Sequence, residues 1–228
     1  FTTTNGLASG NHLIEASLHA LYELVERDAT ARLLGNARVH VEQQCQVIDR
    51  KSITGGRLQQ VLQRFDESAS NLVLMRIPSI AKVHTFWAVL MDANSRISGS
   101  TFNTGWGTHH ELEVAALRAV TEAAQSRATM IHGSREDALT RPVYGSGSVA
   151  RESHAYTVMR DLRPNTSWAE LGEQGICSSS DLGIDFSNLL HDLHRSGHGP
   201  IIRCDLSRPD LGIAVVKILA PQLRFRYR

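Results

Sequence analysis

The sequence predicts a mixed α/β (α+β) fold in which β-sheet layers pack with long helices. Two stretches, residues 12–34 and 110–132, carry apolar residues at helical spacing, and several short apolar runs have the length of strands. Helices and strands alternate irregularly, which favours mixed layers over a doubly wound parallel sheet. With 228 residues, 42% of them hydrophobic and 21% charged, the chain is long enough for one domain with a sizeable core.

The first long helix is predicted over residues 12–34, directly after a glycine-rich turn at residues 4–10. Asn11 is a suitable N-cap, because its short side chain can accept a hydrogen bond from the first helical turn. The dipeptide Gly35-Asn36 supplies the stop.

The remaining elements follow from local periodicity and from glycine and proline positions. In chain order, we predict a strand at 39–49, a helix at 56–65, strands at 72–78 and 82–92, a glycine-punctuated loop at 99–109, the second long helix at 110–132, an irregular polar segment at 134–153, a strand at 156–162, a helix at 186–197 stopped by Gly197, and two buried closing strands at 200–206 and 212–221. The strand at 82–92 is apolar on both faces, so we expect it to be central in its sheet.

Composition excludes several classes of function. The formal net charge is +1, so no basic surface predicts nucleic-acid binding. No apolar run approaches the roughly 20 residues of a membrane helix. Cys45, Cys177 and Cys204 form no CxxC pair, which is typical of reduced thiols. We therefore expect a cytoplasmic protein that binds neither nucleic acid nor a membrane.

The first long helix carries a stripe of acidic side chains. At about 100° per residue, Glu15, Glu23 and Glu26 lie on one narrow face together with His19. Three carboxylates are suitable oxygen ligands for Mg²⁺, which often shares its coordination shell with phosphate. An ordinary solvated face is the alternative, since Glu23 and Arg27 form a favourable i,i+4 pair.

The turn before this helix has the composition of a phosphate-binding loop. Gly6 and Gly10 allow backbone N–H groups to approach a ligand closely, and a helix N-terminus favours negative charge. The Walker pattern GxxxxGK[ST] is absent, so the loop by itself is weak evidence.

The second long helix repeats the pattern. Glu111, Arg118, Glu122 and Gln125 lie within about 60° of one another, whereas Arg127 falls away from this stripe. A salt-bridged exposed face is again the alternative. Trp106, between two glycines, either lines a substrate or adenine pocket or simply fills the loop.

Three sequence blocks resemble the YcaO superfamily. TNGLASGNHLIEASLHALYELVERDA, at residues 4–29, is similar to its second signature block, an NG-x-A-x-GN turn followed by an EA pair and an E-x-x-ER helix end. GWGTHHELEVAALRAVTEAAQSRATMIHGSRED, at residues 105–137, resembles its G-x-G-x-H block with the helix A-L-x-RA-x-x-E-x-x-Q-x-R. AVVKILAPQL, at residues 214–223, resembles its closing strand V-x-K-x-x-x-P-x-L, so the match covers nearly the whole chain in the right order.

The resemblance implies an ATP- and Mg²⁺-dependent enzyme with a YcaO-like fold that phosphorylates a backbone amide of a peptide or protein substrate. Family products are azolines or thioamides, and a homodimer is implied. The family's motifs assign roles to Asn11 (nucleotide or metal), to Glu15, Glu23 and Glu26 (metal), to Arg27 (phosphate), and to Glu122, Gln125 and Arg127 (nucleotide). No role carries over to His19, and the resemblance identifies no catalytic base.

Two departures from the family pattern qualify this prediction. The upstream block S-x-x-E-x-x-ER is absent, so we expect residues 1–228 to be the C-terminal portion of a YcaO domain, with part of the ATP site missing and weak or no ATP turnover. A C-terminal P-x-P-x-P end is also absent, which favours the thioamide-forming branch and its TfuA-type partner protein. The alternatives are a non-catalytic nucleotide-binding scaffold and an accessory factor for ribosomal-protein methylthiolation.

Overall fold

A computed structural model describes residues 3–35, 41–68, 70–92, 102–132, 156–176 and 178–225. The strands are β1 (Leu7–Gly10), β2 (Gln46–Val47), β3 (Ser70–Ile77), β4 (His84–Asp92), β5 (Phe102–His109), β6 (Ile202–Asp205) and β7 (Ala214–Leu219). The helices are α1 (Leu13–Leu34), α2 (Val41–Gln44), α3 (Gly56–Asp66), α4 (Leu112–His132), α5 (Trp168–Gly172) and α6 (Leu182–Arg195). No helix in this part of the chain combines the length and apolar character that crossing a membrane requires.

The strands form two antiparallel sheets, which confirms the mixed fold class. One sheet has the order β1-β7-β6 and the other β2-β3-β4-β5. As predicted, β4 is internal to its sheet and apolar on both faces. Phe86 and Leu90 pack toward α4, whereas Trp87 and Met91 pack toward the far end of α1.

Helix α1 connects the two sheets. Its first half packs with β7 and α6, where Leu21 contacts the layer that contains Val216 and Leu189. Its last turns pack with the four-stranded sheet through Ala29 and Leu33. The predicted helix is confirmed, but its N-cap is His12, whose Nδ1 accepts the N–H of Glu15 at 3.2 Å, and not Asn11.

The prediction of a loop at 99–109 is wrong over its described part, because residues 102–109 form the strand β5. Gly105 and Gly107 lie directly under the backbone of α4. A Cβ at Gly105 would lie 2.2 Å from the carbonyl oxygen of Ala119, and one at Gly107 would lie 2.2 Å from that of Ala115. The glycines therefore allow α4 to pack closely against β5, and they do not interrupt the strand.

Two predicted strands are largely helical. Within 39–49, whose first two residues lie outside the described part, Val41–Gln44 is α2 and only Gln46–Val47 is a strand. Residues 156–161 are helical as well. In both segments the buried side chains recur at helical spacing, Val41 with Cys45 and Met159 with Leu162, so a short apolar run was misassigned.

The predictions at the two ends of the chain need correction too. Residues 7–10, predicted as part of a turn, form β1 and pair with β7. Of the two closing strands predicted as buried, β7 is the central strand of its sheet, but β6 is exposed along its length because it is an edge strand. The helices at 56–65 and 186–197 are confirmed, and Gly197 has the expected positive φ of 78°. The segment predicted as irregular at 134–153 lies outside the described residues.

Candidate functional site

Backbone N–H groups hold the carboxylates of three glutamates. Gly6 donates to Oε2 of Glu23 at 3.0 Å. Asn11 donates to Oε2 of Glu15 at 2.7 Å. Trp106 donates to Oε2 of Glu122 at 2.9 Å. The N–H of Gly6, in the loop that we predicted to face a ligand, and the N–H of Asn11 thus bind carboxylates of the chain itself and fix their orientation.

Asn11 acts on Glu15 twice. Besides its backbone N–H, its Nδ2 lies 3.0 Å from Oε2 and 3.3 Å from Oε1 of the same carboxylate. The backbone hydrogen bond, followed by the side-chain one, lowers the pKa of Glu15. The negative charge of Glu15 is therefore stabilised at the start of α1.

Glu26 occupies a different environment, because its side chain is only 4% exposed. Burial raises the pKa of Glu26 to about 7, opposed by Arg27 and reinforced by the carboxylate of Glu122. The structure thus brings Glu122 of α4 close to Glu26 of α1. A nearly buried carboxylate whose pKa is raised further by a neighbouring carboxylate is a place where a cation is favoured.

Two arginines, Arg27 and Arg118, lie near the glutamates of α1 and α4. Nε of Arg27 lies 3.9 Å from Oε1 of Glu23, which is the predicted i,i+4 pair. Arg118 of α4 reaches α1, where its Nη1 lies 3.5 Å from Nδ1 of His19. Its Nε is buried and has no hydrogen-bond partner among the described residues. Arg118 was predicted to lie on the acidic stripe but had no assigned role. Its position in the R-A pair of the quoted helix pattern, one turn before Glu122, was the available signal.

The other predicted nucleotide residues lie further along α4. Gln125 is exposed and Arg127 is half-buried. The backbone carbonyl of Gln125 accepts the hydroxyl of Thr129 at 2.9 Å. The geometry therefore joins Glu122 to the α1 glutamates, and the contact of Gln125 and Arg127 with a nucleotide stays a prediction.

The spacing of the glutamates along α1 separates them into two positions. Glu15 and Glu23 are eight residues apart, or roughly 12 Å at 1.5 Å per residue, whereas Glu23 and Glu26 are less than one turn apart. Among the described residues, no three His, Cys, Asp or Glu side chains already converge as a metal site. The donor set nevertheless fits Mg²⁺, which binds in proteins through one or two carboxylates together with phosphate oxygens.

A cleft of about 390 Å³ lies between α1, the end of β5 and α4. The polar side chains that line it are Ser9, Glu15, His19, Tyr22, His109 and Arg118. The cleft therefore contains the carboxylate of Glu15 and is bordered by the cationic side chain of Arg118.

Trp106 packs in the core. Its ring is 8% exposed and stacks on Trp87 with centroids 4.9 Å apart and planes 6° apart. Of the two interpretations of Trp106, the structure favours the filling one, and its backbone N–H orients Glu122. Lys217, in the closing block, has a comparable supporting role, because its Nζ donates to the carbonyl oxygens of Thr3 and Asn5 at 2.5 and 2.8 Å.

Comparison with known proteins identifies the family. The family model for YcaO cyclodehydratases, described as ATP- and Mg²⁺-binding, matches residues 1–224. The chain belongs to the YcaO family. A relative from Methanothermobacter thermautotrophicus, an uncharacterized protein, is 33% identical over 226 residues, which are 97% of this chain and 56% of the relative. The chain thus spans about half the length of that relative.

Two further similarities concern structure and gene context. The YcaO protein from Methanopyrus kandleri was solved with AMPPCP and Mg²⁺ bound. It superposes on this chain with a TM-score of 0.73 at 22% identity, and the superposition covers 96% of this chain and 55% of the Methanopyrus kandleri protein. At this identity the likeness shows the YcaO fold. A protein in the tfuA 3′ region of Rhizobium leguminosarum bv. trifolii is 38% identical over 141 residues, 59% of this chain and 33% of that protein.

Proposed function

We propose that this YcaO protein takes part in ATP- and Mg²⁺-dependent phosphorylation of a backbone amide in a peptide or protein, on the way to an azoline or a thioamide. The observation that carries the proposal is the nearly buried carboxylate of Glu26 on α1, whose pKa the carboxylate of Glu122 on α4 raises further. Burial and the neighbouring carboxylate of Glu122 disfavour the charged form of Glu26, and a divalent cation bound there would reverse that penalty.

The remaining residues have complementary tasks in this proposal. Glu23 joins the position of Glu26 and Glu122, held in place by the N–H of Gly6. Glu15 forms a second position, with Asn11 orienting its carboxylate. Arg27 is the phosphate-side cation, and Gln125 and Arg127 contact the nucleotide from α4.

Bound ATP would supply the phosphoryl group that converts the amide oxygen into a leaving group. The chain's own contribution is to orient and to neutralise. Glutamates held by backbone N–H groups cannot rotate away from the ligand, so little ordering remains to be done on binding. The two positions on α1, roughly 12 Å apart, are far enough from each other to hold different parts of a metal–triphosphate group.

For the product, we favour a thioamide over an azoline. The gene context of the Rhizobium leguminosarum relative, in the tfuA 3′ region, supports a TfuA-type partner protein. A peptide or protein substrate and a homodimeric assembly belong to the same proposal.

A nucleotide-binding scaffold without catalysis is the second candidate. It is favoured by the structural use of the glutamates, since Glu23 fixes the turn at Gly6 and Glu122 fixes β5 through Trp106. Glu26 argues against it, because a scaffold would be more stable with a neutral residue at a position that is 4% exposed.

Calorimetric titration of Mg²⁺–AMPPCP into the whole chain tests the proposal. We expect Glu26→Gln to weaken binding by about tenfold or more, since a direct carboxylate ligand is lost. Glu67→Gln, at an exposed glutamate that ends α3, is the matched control and should bind like the wild type. Equal affinities for Glu26→Gln and Glu67→Gln would refute the metal role of Glu26.

A further inference from the structure

His109 ends β5 and forms part of the wall of the cleft that also contains Arg118 and His19. It is the histidine of the G-x-G-x-H block, for which the resemblance assigned no role. Its surroundings form a buried polar cluster at the junction of β4, β5, α1 and α6. His84 is its cross-strand neighbour, and the next residue, His110, is 4% exposed.

One ring nitrogen of His109 has a fixed role. The backbone N–H of Glu111 donates to its Nδ1 at 2.9 Å. A nitrogen that accepts carries no proton, so the neutral ring holds its proton on Nε2. Burial, followed by the charges of His110 and Arg118, lowers the pKa of His109 to about 4. The ring is therefore a neutral group with a single N–H donor at physiological pH.

The position of the ring is fixed by a chain of contacts behind it. The ring of Tyr22 packs against that of His109, with centroids 4.8 Å apart. The hydroxyl oxygen of Tyr22 lies 2.6 Å from Nδ1 of His110. His110 lies 4.0 Å from Oδ2 of Asp185, which is 1% exposed. Asp185 in turn accepts the N–H of Ser179 at 2.8 Å. Such a network limits rotation of the imidazole.

On the other side of the ring, Nε2 has no hydrogen-bond partner among the described residues. Arg118 lines the same cleft, and its buried Nε also lacks a hydrogen-bond partner within the described residues. A neutral N–H donor and a guanidinium that border one cleft are the groups that bind a phosphoryl or other oxyanion oxygen. Glu15, on the same wall, opposes a bare anion, so a divalent cation should strengthen binding there.

We propose that this cleft is an oxyanion site in which His109 donates its Nε2–H, and Arg118 its guanidinium, to a phosphoryl oxygen. The proposal extends the proposed function and rests on it for the source of the phosphoryl group. Either the terminal phosphate of a nucleotide or free orthophosphate presents this chemistry. Tyr22, His110 and Asp185 are positioning residues that act through His109.

Two substitutions of His109 distinguish the proposed donor role of its Nε2–H from the structural contact of its Nδ1 with Glu111. In His109→Asn the side-chain oxygen stands where Nδ1 stands and keeps the N–H of Glu111 capped, but no group replaces Nε2. In His109→Gln the side-chain amide restores a donor near Nε2. If the role of His109 were structural only, Asn would be the better replacement; if it is a donor, Gln would be.

The first experiment is side-chain ¹H–¹⁵N NMR of the histidine-labelled whole chain during titration with inorganic phosphate, with and without Mg²⁺. We expect the His109 signals to report an Nε2–H tautomer and to move on phosphate addition. Phosphate should bind about tenfold more weakly to His109→Asn, the loss expected for one hydrogen bond to a charged oxygen, and within about threefold of wild type to His109→Gln. An unchanged affinity in His109→Asn overturns the proposal.

A parallel titration with Mg²⁺–AMPPCP distinguishes the two phosphoryl sources and the two proposals. If the nucleotide analogue moves the same Nε2 signal and competes with phosphate, the terminal phosphate is the occupant. If phosphate binds at His109 and the analogue does not bind the wild type at all, the oxyanion site stands and the proposed function fails. If the analogue binds wild type and His109→Asn equally without moving the signal, the oxyanion site fails and the proposed function stands.

Discussion

The backbone N–H of Gly6 donates to Oε2 of Glu23 at 3.0 Å, across 17 residues of sequence. Gly6 has a φ of 77°, and its carbonyl oxygen accepts the N–H of Ile218 at 2.8 Å. One residue thus links the turn before β1, the closing strand β7 and a glutamate of the acidic stripe. The glycine of the NG turn is required for local geometry, and that geometry orients a proposed metal ligand.

Gly6→Ala should destabilise the protein more than an ordinary positive-φ glycine substitution. A Cβ at Gly6 would lie 2.4 Å from the carbonyl oxygen of Ile218, in addition to the strain of the left-handed backbone. We expect a loss of about 3 kcal/mol in the free energy of unfolding, measured by urea denaturation. Gly212→Ala is the matched control, because φ is 63° but nothing lies within 4 Å of its Cβ; about 1 kcal/mol is expected there. Equal losses would show that the contact with Ile218 is unimportant.

The stability of the protein in metal-free buffer should depend on pH through Glu26. Burial raises its pKa from 4.5 to about 7, so the folded protein holds a proton that the unfolded chain releases between these values. Stability from this group is therefore highest at low pH and falls as the pH rises through 7. Glu26→Gln removes the dependence, and at pH 8 it should be more stable than wild type by on the order of 2 kcal/mol.

The measurement is urea denaturation of wild type and Glu26→Gln at pH 5 and pH 8 with a chelator present. Glu67→Gln, at an exposed glutamate, serves as the control and should follow the wild type at both values. Stability curves of wild type and Glu26→Gln that run parallel between pH 5 and 8 would contradict the prediction.

His84 should give the opposite pH dependence. Its side chain is 2% exposed, and burial, followed by the charge of Arg76, lowers its pKa from 6.5 to about 4. The unfolded chain binds a proton below pH 6.5 that the folded protein excludes, so stability is lost as the pH falls from 6.5 toward 4. His84→Leu should reduce that loss by about 2 kcal/mol, measured by urea denaturation at pH 7 and pH 4.5. A loss of the same size in wild type and variant would show that other groups account for the acid sensitivity.

The length of each hydrophobic pattern explains which elements of the fold were predictable from the sequence. The helix at 12–34 and the strand at 82–92 were predicted because their patterns are long. The segments 41–44 and 156–161 were not, because a few apolar residues fit a strand or a helix equally well. β5 was missed for another reason: its glycines are needed only because a helix lies on them, and that contact is invisible in the local sequence.

The candidate site was also predictable only in part. The shared face of Glu15, Glu23 and Glu26 follows from rotation per residue within one helix, so it was predictable. The approach of Glu122 to Glu26, and of Arg118 to His19, depends on how α4 crosses α1 in three dimensions. His109 ends the G-x-G-x-H block, but that pattern assigned it no role. Its relevance depends on Glu111, Tyr22 and the cleft, which only the folded chain brings together.

The close packing of α4 on β5 makes Gly105 the most sensitive glycine for the integrity of the site. A Cβ there would lie 2.2 Å from both the carbonyl oxygen of Ala119 and the backbone nitrogen of Ala123. Neither backbone atom can move without displacing α4 and, with it, Glu122. We expect Gly105→Ala to cost about 3 kcal/mol or more in urea denaturation and to weaken the near-ultraviolet circular dichroism of the stacked Trp87 and Trp106. Gly172→Ala, where nothing lies within 4 Å of the added Cβ, should leave both signals within experimental error; a Gly105→Ala protein as stable as Gly172→Ala would mean that α4 can lift from the sheet without loss.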